Sequence, residues 1–180
     1  MKTIFQNSTL ELIKGDIVTL SVDAIVNAAN KKLTSGGGVD GSIYQAAGPE
    51  LLKAGLRLGG CETGEAKITL GYNLSARFVI HTVGPVYGQM DGMEASFLED
   101  CYKNSLALAD QKHLISIAFP SISTGAYGFP IEEAVPIALE SVKEYLEGHP
   151  QTTLRRIVFV CYSEEDFHAY YREFGVLFGS

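Results

Sequence analysis

The sequence predicts an α/β fold, with helices packed over a largely parallel sheet. Three observations carry that expectation. Strand-like and helix-like segments alternate through most of the chain, the order produced by parallel strands with crossover helices. The runs at 24–27, 115–119 and 156–161 are short and mostly apolar, as strands buried on both faces are. Gly, Asn, Asp and Ser gather just after the strands, where such folds place their ligands.

The elements follow in order. Residues 9–14 put Leu10 and Leu12 on one face and read as a strand, stopped by Gly15-Asp16. Residues 24–27 are a second strand, and 30–38 a polar, glycine-rich loop. From Val39 the spacing of Ile43, Ala46 and Ala47 predicts a helix to about Ala47, before Gly48-Pro49. Residues 65–70 and 78–83 are expected to pair antiparallel through a turn that begins at Gly71-Tyr72-Asn73. Residues 94–112 read as a helix with Phe97, Cys101 and Leu108 on one side. A strand at 115–119 leads into the loop 120–130. The next helix, 131–147, carries Ala134, Ile137, Ala138, Ser141 and Tyr145 inward, and a strand at 156–161 and a helix at 164–174 end the pattern. The loops that begin at Gly15, Asn27, Pro120 and Cys161 are therefore the ones to search for chemistry.

Composition narrows the search. A chain of 180 residues is expected to form one domain, 1–180. With 46% hydrophobic and 19% charged residues it can bury a core. Fourteen Lys+Arg against 21 Asp+Glu give a net charge of −7, which argues against bulk nucleic acid and anionic membranes as partners. Cys61, Cys101 and Cys161 form no C-x-x-C pair, so neither a disulfide framework nor a zinc site is expected. No apolar run approaches the ~18 residues of a membrane span, and the start lacks a signal-peptide core. A soluble, cytoplasmic protein is the expectation. Against the acidic charge stand 19 glycines, several of them at 36–41, where bare backbone N–H groups are suited to an anion.

Three loops invite a chemical reading. In Asn27-Ala28-Ala29-Asn30 and Gly36-Gly37-Gly38-Val39-Asp40-Gly41, glycines let backbone approach a ligand and the amides suit sugar hydroxyls. Asp40 is placed either to hold a water and take its proton, or merely to offset a helix dipole; spacing leaves both open. The G-x-G-x-x-G match of Gly36, Gly38 and Gly41 is weak as a dinucleotide signature, because no acidic residue ends a second strand about 20 residues on. The segment 120–128, with Ser123, Thr124, Gly125, Ala126 and Tyr127, is either a diphosphate cradle or an ordinary β–α turn; it lacks the G-K-[ST] ending of a Walker loop. Asp16 is either an acceptor for an exocyclic amine or the N-cap of a short helix. His81 lies within a predicted strand and reads as a core histidine that needs a partner for each ring nitrogen. The other histidines show no metal-ligand spacing, and Ser121 and Ser123 sit in no nucleophile elbow.

Taken together the motifs are more specific. Gly15-Asp16-Ile17, Val22 through Asn30 (VDAIVNAAN), Gly36 through Gly41 (GGGVDG), Thr63-Gly64-Glu65-Ala66, Val79 through Pro85 (VIHTVGP) and Ser123 through Gly128 (STGAYG) occur in that order. The chain resembles the macro domain family from about Leu10 to the last helix, and within it the MacroD-type branch of O-acetyl-ADP-ribose deacetylases and mono-ADP-ribosyl hydrolases. The resemblance implies a three-layer α/β/α fold with a mixed central sheet and an ADP-ribose site across the strand ends. It implies Asp40 and Asn30 as the catalytic pair, with Asn30 on the distal ribose. It implies Asp16 and Ile17 at the adenine, and Asn27, Gly37, Gly38 and Val39 against the ligand. Ser123, Thr124, Gly125, Ala126 and Tyr127 would hold the diphosphate, with Tyr127 also against the distal ribose and Tyr162 on the adenine. The partners implied are ADP-ribose, its O-acyl esters and mono-ADP-ribosylated proteins, with no cofactor and no metal. Ser35 and Tyr44 depart from the family pattern, which more often has Gly and His there. A non-catalytic ADP-ribose reader is the alternative, and the pairing of Asn30 with Asp40 favours the hydrolase.

Overall fold

The computed structural model describes residues 1–179. The chain opens with a hairpin of β1 (Lys2–Phe5) and β2 (Ser8–Lys14), turned at Gln6 with φ 53°. A 3₁₀ turn, Ile17–Thr19, precedes β3 (Ala24–Ala28). Then come α1 (Gly38–Ala47), α2 (Pro49–Arg57), β4 (Ala66–Leu70) and β5 (Phe78–Thr82). The second half runs α3 (Glu94–Gln111), β6 (Ser116–Phe119), α4 (Ile131–Gly148), β7 (Arg156–Cys161) and α5 (Glu164–Phe178).

All seven strands join one mixed sheet in the order β1-β2-β7-β6-β3-β5-β4. The inner pairs β2·β7, β7·β6, β6·β3 and β3·β5 are parallel, and the edge pairs β1·β2 and β4·β5 antiparallel. Strand pleating sends alternate side chains to opposite faces. Val26, Ile80, Ile117, Phe119 and Phe159 therefore join one core with α3, α4 and α5, while Ile25, Val79, Ala118 and Val158 join another with α1 and α2. This is the three-layer α/β/α arrangement, with a mixed sheet. Because β2, β3, β6 and β7 run parallel, the loops after Lys14, Ala28, Phe119 and Cys161 emerge at one edge. The protein's unusual loops are thereby gathered together.

The expected elements agree with the structure to within one residue at each end, with three exceptions. The edge strand β1 was not anticipated; its side chains are only half-buried or exposed, so its apolar signal is thin. Nor was α2. Gly48 (φ 86°) ends α1, and Pro49 starts a new helix at once. Proline is well suited to a first helical position, so Gly-Pro marks a join here rather than a loop. The last helix runs to Phe178, beyond residue 174, because Phe174 and Phe178 both pack into the core and their rings meet at 5.2 Å. Among the described residues no helix is long and apolar enough to cross a membrane.

Candidate active site

At the carboxyl edge of the sheet lie two adjoining chambers, of about 500 and 390 Å³. Gly38, Val39, Ser121 and Gly125 line both, so together they form one cleft. The first chamber holds Asn30 and Asp40, and the second holds Asp16, Ile17 and Tyr162. Between them meet the start of α1 and the loop after β6.

Asp40 sits in the first turn of α1 and is only 6% exposed. Its Oδ1 accepts from Asn27 Nδ2 at 2.7 Å, and its Oδ2 accepts from the Gly36 N–H at 2.5 Å. Burial pushes its carboxyl above the ordinary value of 3.8, and the two bonds pull it part of the way back. Gly41 makes this geometry possible: a Cβ there would lie 2.5 Å from the Gly36 carbonyl oxygen. Asn30 closes its own loop. Its Nδ2 donates to the Thr34 carbonyl (2.7 Å), and its Oδ1 accepts from the Thr34 N–H (3.1 Å).

The wall shared by the two chambers is largely backbone. Gly37 caps α1 without a side-chain bond, which leaves first-turn N–H groups at Gly38 and Val39 on the cleft wall. The positive end of a helix dipole favours an anion at that place. Opposite, the loop after β6 is pinned from behind. Ile122 N–H donates to the buried Tyr102 hydroxyl (3.4 Å), Phe129 N–H to Ser123 O (2.9 Å), and Gly128 N–H to Gly125 O (3.0 Å). Among the described residues, no hydrogen bond occupies the N–H groups of Ser123, Gly125, Ala126 or Tyr127. Ser123 holds φ 66°, and its Oγ rests where a side chain on Gly84 would stand, 2.1 Å from that Cβ position.

In the second chamber Asp16 caps the 3₁₀ turn, its Oδ1 accepting from Val18 N–H at 3.2 Å. The capping role read from the sequence is thus real, and the residue lines the cleft as well. Tyr162 is 79% exposed at the rim.

Of the candidate residues, Asn30, Gly37, Gly38, Val39, Asp40, Ser123, Gly125, Ala126 and Tyr127 line the first chamber, and Asp16, Ile17, Thr124 and Tyr162 the second. Asn27 lines neither. It is fully buried beneath Asp40, because the pleat turns it to the α1 side of β3 rather than toward the cleft. Tyr44 also stays out of the cleft: its hydroxyl donates to the Leu33 carbonyl at 2.7 Å, and burial first, then the nearby Asp40 charge, push it to about 12. Sequence reasoning gave neither Gly84 nor Ser121 a ligand role of its own, though both line the first chamber. The strand-ending Gly84-Pro85 was the available signal for Gly84.

A fold with this cleft across its strand ends defines a class, and the comparisons agree on it. The chain belongs to the macro domain family: the family model "Macro domain" matches residues 26–138. An O-acetyl-ADP-ribose deacetylase of Salmonella newport is 50% identical over 169 residues, covering 92% of this chain and 93% of its own length. The human ADP-ribose glycohydrolase MACROD2 is 50% identical over 171 residues, covering 94% of this chain and 40% of that longer protein. Among solved structures, an Oceanobacillus iheyensis macrodomain with ADP superposes at TM-score 0.94 with 43% identity, covering 98% of this chain and 95% of that one. A Trypanosoma brucei macrodomain in complex with ADP-ribose gives TM-score 0.86 and 43% identity, covering 92% and 69%.

Proposed function

We propose that this protein is an ADP-ribose-binding hydrolase that cleaves an ester on the distal ribose. The ester is an acetyl group, or the Asp or Glu side chain of a mono-ADP-ribosylated protein. One observation carries the reading. A buried carboxylate, Asp40, is fixed at one end of a cleft whose middle is lined by unpaired N–H groups and whose other end offers Asp16 and Tyr162. An acid, a diphosphate-sized anion site and a base-sized shelf occur in the order in which a ribose, a diphosphate and an adenosine are joined.

In this reading Asn30 holds the distal ribose hydroxyls. Asp40 accepts the proton of a water as that water attacks the ester carbonyl. The ester C–O bond breaks, the carboxylic acid leaves, and the proton held by Asp40 returns to the ribose oxygen. The upward shift of Asp40 suits a base, since a carboxylate of ordinary acidity takes a proton poorly. The backbone N–H groups of Ser123 to Tyr127, with Gly38 and Val39, bind the diphosphate without formal charge, so the net charge of −7 is no obstacle. The whole chain acts as a single domain in this reading, supported by its one continuous sheet. The three free, buried cysteines support a reducing, cytoplasmic setting.

The test is Asp40→Ala. ADP-ribose affinity by calorimetry is expected to persist, while release of acetate from O-acetyl-ADP-ribose falls by about 10²–10⁴-fold. Binding without turnover in the native protein favours a reader and overturns the hydrolase.

A further inference from the structure

Beneath Asp40 lies a hydrogen-bonded line of side chains for which the proposed reaction has no stated use. Asn27 Nδ2 donates one proton to Asp40 Oδ1 (2.7 Å) and lies 3.2 Å from His81 Nδ1. His81 Nε2 is 3.0 Å from Thr69 Oγ1, whose hydroxyl donates to the Leu70 carbonyl at 3.1 Å. Asn27 and His81 are register partners on the parallel strands β3 and β5, so their side chains stand side by side on the face that α1 covers. Both are fully buried, and Thr69 is nearly so.

The donors and acceptors along the line fit in only one way. An ionised Asp40 can only accept, so Asn27 must turn its NH₂ toward it. The second amide proton then faces His81 Nδ1, which must be the bare, accepting nitrogen. Nε2 carries the proton and donates to Thr69, and Thr69 donates onward. The imidazole is neutral and in a single tautomer. Asn27 Oδ1, which has no partner among the described residues, shows what this orientation sacrifices. An orphaned buried acceptor is unfavourable, so the amide is held by stronger demands on its nitrogen.

We propose that His81 is a positioning residue for Asp40, acting through Asn27. Its Nδ1 fixes the amide so that the NH₂ always faces the carboxylate, and this holds Asp40 with a free lone pair toward the cleft. If Nδ1 is removed, the second amide proton loses its acceptor, the amide is free to tilt about its bond to Asp40, and the carboxylate shifts with it. The other groups near the ring are already committed: the Tyr44 hydroxyl to Leu33, and the Lys67 ammonium to the Leu58 and Gly60 carbonyls.

The inference rests on the proposed role of Asp40, so its test separates the two. In uniformly labelled wild-type protein at pH 7, long-range ¹H–¹⁵N correlation of the imidazole is expected to show His81 as the neutral Nε2–H tautomer. This readout needs no turnover, and a protonated Nδ1 overturns the proposal. His81→Leu is expected to lower kcat by on the order of tenfold to a hundredfold, the range of a base displaced by up to an ångström, with KM and ADP-ribose affinity held. His81→Asn, whose Oδ1 can take the place of Nδ1, is expected to recover much of that loss; His81→Gln, which reaches only the Nε2 position, is not. In an Asp40→Ala background, His81→Leu is expected to add nothing. A wild-type kcat in His81→Leu, no recovery in His81→Asn, or a further loss on top of Asp40→Ala each overturns the inference. Unreduced turnover in Asp40→Ala alone instead removes Asp40 from its role as the base, and binding without turnover in the native protein overturns the hydrolase reading itself.

Discussion

Gly41→Ala makes a sharp trial of how the site is built, because the glycine does not itself line the cleft and acts only by packing behind Gly36. The added Cβ falls 2.5 Å from the Gly36 carbonyl oxygen. Carbon and oxygen ordinarily approach to about 3.3 Å, so the Gly36 peptide must retreat by about 0.8 Å. That peptide's N–H is one of the two bonds that hold Asp40. A misplacement near 1 Å at a reacting group lowers rate by on the order of 10²-fold. The stability effect is smaller, for two terms oppose. Alanine inside a helix is favoured over glycine by about 1 kcal/mol, while overpacking is unfavourable by about 1–3 kcal/mol. The net loss is about 0–2 kcal/mol, a Tm drop of at most ~8 °C for a chain this long. The assay is steady-state release of acetate from O-acetyl-ADP-ribose, beside a thermal melt and an ADP-ribose titration. The expected result is a well-folded protein with a collapsed kcat. A kcat within about twofold of wild type refutes the reasoning, since a shift of that size cannot leave the carboxylate in place.

Other outcomes follow from the same geometry. Gly84→Ala puts a Cβ 2.1 Å from Ser123 Oγ and 2.7 Å from Ile122 Cγ2, which displaces the anion loop; ADP-ribose affinity by calorimetry is expected to fall by about tenfold or more, roughly the 1–3 kcal/mol of an overpacked site, and unchanged affinity contradicts the cradle. Asp16→Asn keeps an N-cap as good as the original, so the melt should be unchanged, while loss of a charged acceptor weakens ADP-ribose binding roughly fivefold; equal affinity removes Asp16 from the ligand. Burial lowers His81 from 6.5 to about 4. The native state therefore resists its proton, and the stability this group contributes is whole above pH 6.5 and lost as pH falls toward 4. At 1.36 kcal/mol per pKa unit that is about 3 kcal/mol. Urea unfolding of wild type against His81→Asn is expected to show their difference shrink by that amount between pH 7 and pH 4, and a constant difference refutes it.

What the sequence determined by itself was whatever depends on near neighbours. Alternation of Leu10 with Leu12, the helical spacing of Ile43 with Ala47, and the unbroken run Ile157 to Val160 follow from pleat and helix periods, and these set the layers. The same is true of the glycine clusters and of the motif order that marked the macro domain. Edge and join were harder to read: β1 buries too little to leave a pattern, and Gly48-Pro49 can end one helix or connect two. The tertiary structure decided which side chains meet across strands. Asn27 looked like a ligand-facing amide because it leaves a strand beside Asn30. Strand parity turns it instead to the α1 side, where register with β5 sets it against His81 and the folding-back of α1 brings Asp40 onto it. Gly41 on the Gly36 backbone, and the Ser123 side chain on Gly84, are likewise close approaches that no local period encodes. The sequence supplied the carboxylate and the cradle; only the packing of β3 against β5 and α1 fixed what holds the carboxylate still.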